Sequence, residues 1–103
     1  MDVKAWLGTT GLTIEQDISM DEQTFPFVWF TDEVDAGYRD LSTKMLTHNL
    51  TVELYTENID STSEGLLETL LGALNNRYTK KRQWVTNCFV TTYTANFDEE
   101  EGD

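Results

Sequence analysis

Residues 47–74 read THNLTVELYTENIDSTSEGLLETLLGAL, and two hydrophobic periods meet inside them. From Thr47 to Glu57, the residues His48, Leu50, Val52 and Leu54 share one face, while Asn49, Thr51, Glu53, Tyr55 and Glu57 share the other. That two-residue alternation predicts a half-buried strand. After it the period lengthens: Leu67, Leu70, Leu71 and Leu74 recur at i, i+3, i+4 and i+7, the stripe of a helix lying on a sheet, and Leu66 and Ala73 widen it. Asp60 or Ser61 can cap this helix, and Ser61 with Glu64 spells a capping box, in which each side chain satisfies the other's free backbone donor. Gly65 and Gly72 each cost up to about 1 kcal/mol against alanine, so the helix depends on packing. Asn75 and Asn76 terminate it.

Upstream, Val3, Ala5, Trp6 and Leu7 predict one or two helical turns with Gly8 as the stop. Leu12 to Ile18 alternates loosely, as a short strand or extended arm, and Ser19 to Thr24 is polar and turn-like. Phe25-Pro26-Phe27-Val28-Trp29-Phe30 predicts a strand with Pro26 at its start, apolar on both faces. Asp32, Glu33 and Asp35, followed by Gly37, read as an acidic loop ending that strand. Downstream, Tyr78 to Thr86 and Cys88 to Phe97 are two strand-like runs with a weak turn signal at Thr86 and Asn87, either a hairpin or a bulged long strand. Asp98 to Asp103 is too charged to pack and reads as a disordered acidic tail behind a single domain over residues 1–97. The expected fold is α+β: a mostly antiparallel sheet of about four strands, with one main helix and a short N-terminal helix packed on it.

The 103 residues fit one domain with one core. A formal charge of -12, from 19 acidic against 7 basic residues, argues against nucleic-acid binding by phosphate neutralisation and against docking on anionic membranes. The basic run Lys80-Lys81-Arg82 reads as a solvated turn or an edge strand. Cys88 is the only cysteine, which excludes an internal disulfide and fits a reducing interior. The N-terminal residues lack the long apolar core of a signal peptide or membrane span, so synthesis in a cytoplasm is expected. Asn49-Leu50-Thr51 spells a glycosylation acceptor, which has no use without export.

The inventory for catalysis is thin. His48 falls on the apolar face of its strand, as a core or rim histidine does, and Cys88 has no evident cation beside it in sequence to activate a thiolate. Asp32, Glu33 and Asp35 match neither an EF-hand nor a helical metal motif. Glycine-rich phosphate loops, the Gly-x-Ser-x-Gly elbow and the His-Glu-x-x-His helix are all missing from the sequence. No catalytic, cofactor-binding or metal-binding residue is therefore assigned, and the expected role is structural.

The order of the pieces carries a resemblance. Phe25-Pro26-Phe27-Val28-Trp29-Phe30-Thr31-Asp32-Glu33-Val34, then Gly37 and Asp40, then His48 to Glu57 with Val52-Glu53-Leu54-Tyr55 at its centre, and later Asp60, Glu64, Lys81 and Trp84, resemble the small tail terminator or head-tail joining proteins of long-tailed bacteriophages and prophages of Gram-positive bacteria. The resemblance covers most of the chain, which departs from the pattern at Gly65, Gly72 and in its acid-only ending. It implies a virion structural protein whose copies form a ring, typically a hexamer, that caps the tail tube protein and meets the head connector protein. It further implies ring contacts of the heterologous kind, one patch meeting a different patch. Trp29, Tyr55 and Tyr93 are the candidate subunit contacts, and Asp32, Glu33 and Asp35 the candidate acidic channel or loop, where carboxylates would repel passing DNA. The alternatives are another virion adaptor, such as a head-completion protein, or an acidic host-directed binding module that mimics nucleic acid.

Overall fold

A computed structural model describes residues 2–15, 24–40, 43–75 and 77–101. Along the chain run α1 (Val3–Gly8), β1 (Thr13–Glu15), β2 (Phe27–Tyr38), β3 (Lys44–Thr56), α2 (Ser61–Asn75), β4 (Thr79–Val85) and β5 (Cys88–Glu101). The strands form one sheet in the order β1-β2-β3-β5-β4. Four are joined antiparallel, and β1 adds a short fifth strand parallel to β2, pairing Thr13 with Phe27 and Glu15 with Trp29.

Registers fix which side chains share a face. Val28 lies opposite Leu54, Phe30 opposite Val52, Val52 opposite Tyr93, and Leu50 opposite Ala95. These side chains form one cluster with Val3 and Leu7 of α1 and Leu67 and Leu71 of α2, so both helices cover the same face. Burying each such leucine contributes roughly 2 kcal/mol. Leu70 and Leu74 are half-buried, but Leu66 and Ala73 point to solvent, so the helical stripe is narrower than the sequence suggests.

Asp60, one of the two residues expected to cap α2, does so: its carboxylate accepts from the backbone N of Ser63 at 3.0 Å and from the Ser63 hydroxyl at 2.8 Å. Glu64 cannot complete a capping box because cations on β4 hold its carboxylate. Gly8 closes α1 from within it; Thr9 is the C-cap, in helical conformation, and the left-handed residue is Gly11, at φ 84°. β1 bears out the short-strand alternative at residues 13–15, whereas residues 16–18 and most of the polar stretch 19–24 lie outside the described residues. Thr86 and Asn87 join β4 to β5 as a hairpin, with Thr86 at φ 53° and the Asn87 N–H donating to the Val85 carbonyl at 2.6 Å, the i→i+2 bond and positive central φ of a γ-turn.

Two strand ends overturn the sequence reading. The acids Asp32, Glu33 and Asp35 do not end β2 in a loop; the strand continues through them to Tyr38. Asp98, Glu99 and Glu100 are likewise no solvated tail, since β5 runs on to Glu101, opposite Lys44. In each case the backbone ladder with β3 continues and the carboxylates find polar partners across the strands. Asn49 Nδ2 donates to Asp35 at 3.1 Å, the Thr47 hydroxyl donates to Asp98 at 2.9 Å, and Arg39 reaches Glu100 at 3.4 Å. Residues 102 and 103 lie outside the described residues.

Candidate functional site

The long strands outrun their helices. Core side chains reach Phe30 on β2, Leu50 on β3 and Ala95 on β5, with Phe97 packed at the margin. Beyond them, Glu33 to Tyr38 on β2 are all exposed. Seven residues from Asp32 to Tyr38 span about 20 Å as a strand, and the molecule measures 51 × 27 × 22 Å. The product is a three-stranded arm of β2, β3 and β5, projecting from a helix-covered body. Its outer side chains include Val34 and Tyr38, the latter 71% exposed. A hollow of about 400 Å³ on the arm is lined by Asp35, Gly37, Tyr38, Met45 and Thr47, among others.

Where body meets arm, a charged clasp crosses all three strands. His48 is 3% exposed; its Nδ1 lies 2.8 Å from Asp32 Oδ2 and its Nε2 lies 2.9 Å from Glu99 Oε2. The imidazole stacks on Phe97 at 4.3 Å and 4°. An ionised carboxylate can only accept, so the two contacts ask both ring nitrogens to donate. A general base needs a nitrogen free to take a substrate's proton, and this ring has both engaged. The carboxylates sit at opposite ends of the ring, with no common point for a cation. Among the described residues there is no group of three His, Cys, Asp or Glu side chains able to hold a metal ion.

The sheet face away from the helices is partly open. There Phe27 stacks on Tyr55 at 4.7 Å and 4°, and Phe25 on Phe27 at 5.8 Å. Burial, followed by the nearby Glu53 carboxylate, pushes the Tyr55 hydroxyl up to about 12. Trp29 lies half-buried on the same face, across from Glu53. Cys88 is buried. Of the three aromatic residues expected at a subunit contact, Trp29 and Tyr55 therefore keep some outward surface. Tyr93 does not: it is fully buried under α2, its hydroxyl donates to Glu68 at 2.8 Å, and its ring packs edge-on against Tyr78. Burial, then that bond to Glu68, raises its pKa.

On the far side of the sheet, every residue of β4 is exposed. Lys80-Lys81-Arg82 sits here, so the edge-strand reading of that run holds. Lys80 and Arg82 turn to the helix side and pair with Glu64; Lys80 also pairs with Glu68. Lys81 points to the opposite face and has no ion-pair partner among the described residues.

Sequence reasoning placed His48 on the core face but missed its carboxylates. Asp32 was findable, standing two residues after Phe30 on the same alternating face, whereas Glu99 was hidden once Asp98 to Asp103 was read as a tail. No helix among the described residues is long and apolar enough to cross a membrane. Compared with known families and with curated proteins, the chain matches none significantly.

Proposed function

We propose that the chain is a virion structural protein of a long-tailed bacteriophage, a tail terminator or head-tail joining protein whose copies form a ring, with six the expected number. The ring caps the tail tube and offers the head connector a surface. One observation carries this reading: a three-stranded arm, ordered by its own ladder and its histidine clasp, extends beyond both helices and leaves Val34 and Tyr38 in solvent. A sheet exposed on both faces and both edges has little use in an isolated molecule and fits a part completed by neighbours. The occupied nitrogens of His48 and the burial of Cys88 favour a structural role over turnover. Glu33 and Asp35, exposed together on one face of the arm, would give a passage an acidic wall that does not retain DNA, whereas Asp32 faces the other way, into the His48 clasp. Electron microscopy of isolated tail tubes mixed with the purified protein tests the proposal. It expects ring density at one tube end and arrested tube growth; bare ends and unchanged growth would remove the terminator role.

A nucleic-acid mimic is the second reading, favoured by one observation: Asp98, Glu99 and Glu100 stand in an ordered strand. It ranks lower because the arm's carboxylates are largely engaged within the chain, Asp32 and Glu99 by His48, Asp35 by Asn49, and Asp98 by Thr47. A mimic would form a stable complex with a DNA-binding protein that added DNA dissolves.

A further inference from the structure

Exposed strand edges are natural templates for pairing, and proteins guard them with charge. This chain guards its edges with opposite signs. Among the described residues, β4 pairs with β5 on one side and with nothing on the other. Its edge carries Lys80, Lys81 and Arg82, with Arg77 just before it, in a chain that has 7 basic residues altogether. On the arm, β1 covers β2 only at Phe27 to Trp29, which leaves the outer edge of β2 from Phe30 to Tyr38 without a strand partner among the described residues. That edge carries Asp32, Glu33 and Asp35. The β5 edge of the arm, from Ala95 onward, is also uncovered and acidic.

We infer that the β4 edge of one copy receives the β2 edge of a second copy's arm in antiparallel register, with Lys81 opposite Asp35 and beside Glu33, and Trp84 beside Val34. Pairing of two arms is opposed by like charge on both arm edges, and pairing of two β4 edges by Lys81 against Lys81. The combination of β4 with the arm brings opposite signs together. Alternation along the strands agrees. If the two sheets join with their helices on one side, Trp84, Val34 and Tyr38 share that side, while Lys81, Glu33 and Asp35 share the other. Apolar surface selects β2 over β5: Trp84 and Val85 are 56% and 39% exposed, Val34 and Tyr38 are 43% and 71%, and the β5 edge of the arm has no large exposed apolar side chain among the described residues. Since one patch meets a different patch, each copy can both give an arm and receive one, which closes a ring or extends a filament. The inference deepens the ring reading and rests on it for closure alone.

Sedimentation of the full chain over a range of concentrations, at low and high salt, tests the contact. Lys81→Glu alone and Glu33→Lys with Asp35→Lys should each weaken association by about tenfold or more, and the three changes together should restore it. As a second measurement, a Lys81→Cys protein mixed with an Asp35→Cys protein should give a disulfide-linked heterodimer, while each alone stays unlinked; Cys88 is buried and stands aside. A wild-type chain that stays monomeric throughout, a triple variant as weak as its parents, or no heterodimer would each overturn the contact. A ring on tail tubes that ignores Lys81→Glu would overturn the contact but leave the ring reading standing. Charge-swapped association without tube capping would keep the contact and remove the terminator reading.

Discussion

Arg82 on β4 holds Glu64 on α2 through two hydrogen bonds, one from Nε to Oε2 at 2.9 Å and one from Nη2 to Oε1, and so ties the exposed edge of the sheet to the helix that covers its core. Lys80 adds a contact to Glu64 at 2.8 Å, and the buried Thr91 hydroxyl donates to it at 3.3 Å. The Arg82 hydrogen bond first, working against burial and with help from Lys80, lowers the Glu64 carboxyl from its ordinary 4.5 to about 2.

A carboxyl depressed on folding contributes stability that is fully present above its unfolded value and is lost as pH falls through the folded one. Stability should therefore decline from about pH 4.5 towards pH 2, and urea unfolding measured across that window should show it. Glu68 and Asp60, also lowered, act in the same direction. Glu64→Gln should flatten part of this decline and lower stability at neutral pH by about 3 kcal/mol, the low end for a broken buried pair, because Lys80 and Arg82 are partly exposed and regain water.

Removing His48 should leave Asp32 and Glu99 facing a hole at the root of the arm. His48→Leu is expected to cost about 2–4 kcal/mol, since it strands two carboxylates and ends the stacking on Phe97. Hydrogen exchange should quicken first at residues 32–38, 44–48 and 97–101, with the amides of Val52 and Leu54 opening later. Uniform loss of protection would assign the clasp to the whole fold instead of to the arm.

Truncation after Phe97 separates an acidic tail from a strand end. A solvated tail would leave stability unchanged. Here the cut removes the partners of Lys44 to Thr47 and the Glu99 contact to His48, so a loss of about 1–2 kcal/mol is expected, on the scale of a few hydrogen bonds. Thermal unfolding of the two lengths decides it.

Gly65 and Gly72 sit inside α2, and a Cβ built on either meets nothing within 4 Å. Gly65→Ala and Gly72→Ala should each add up to about 1 kcal/mol by helix propensity alone. No gain in the denaturation midpoint would mean that some contact outside this chain needs the bare backbone.

The central strand and helix were legible because each carries one period over many residues: Leu50, Val52 and Leu54 for β3, and Leu67 and Leu71 for α2. The hairpin at Thr86 and Asn87 was visible as one of two options, decided only by the β4 register. The arm was not legible. Composition treats Asp32, Glu33 and Asp35, and again Asp98 to Glu100, as strand-breaking charge, but a continuing ladder and Asn49, Thr47 and His48 across it hold those residues extended. Glu64 was misplaced for a related reason: local sequence offers it a capping box, whereas β4 brings Arg82 to it from eighteen residues away. Long-range partners decide both cases, and they leave no local period to read.

The central claim, that this chain completes a phage tail, meets its most direct measurement in electron microscopy of particles assembled with and without it. Without the protein, tails of irregular length that fail to join heads are expected, and restoring the chain should return both uniform length and joining. Tails of normal length firmly attached to heads in its absence would contradict the claim.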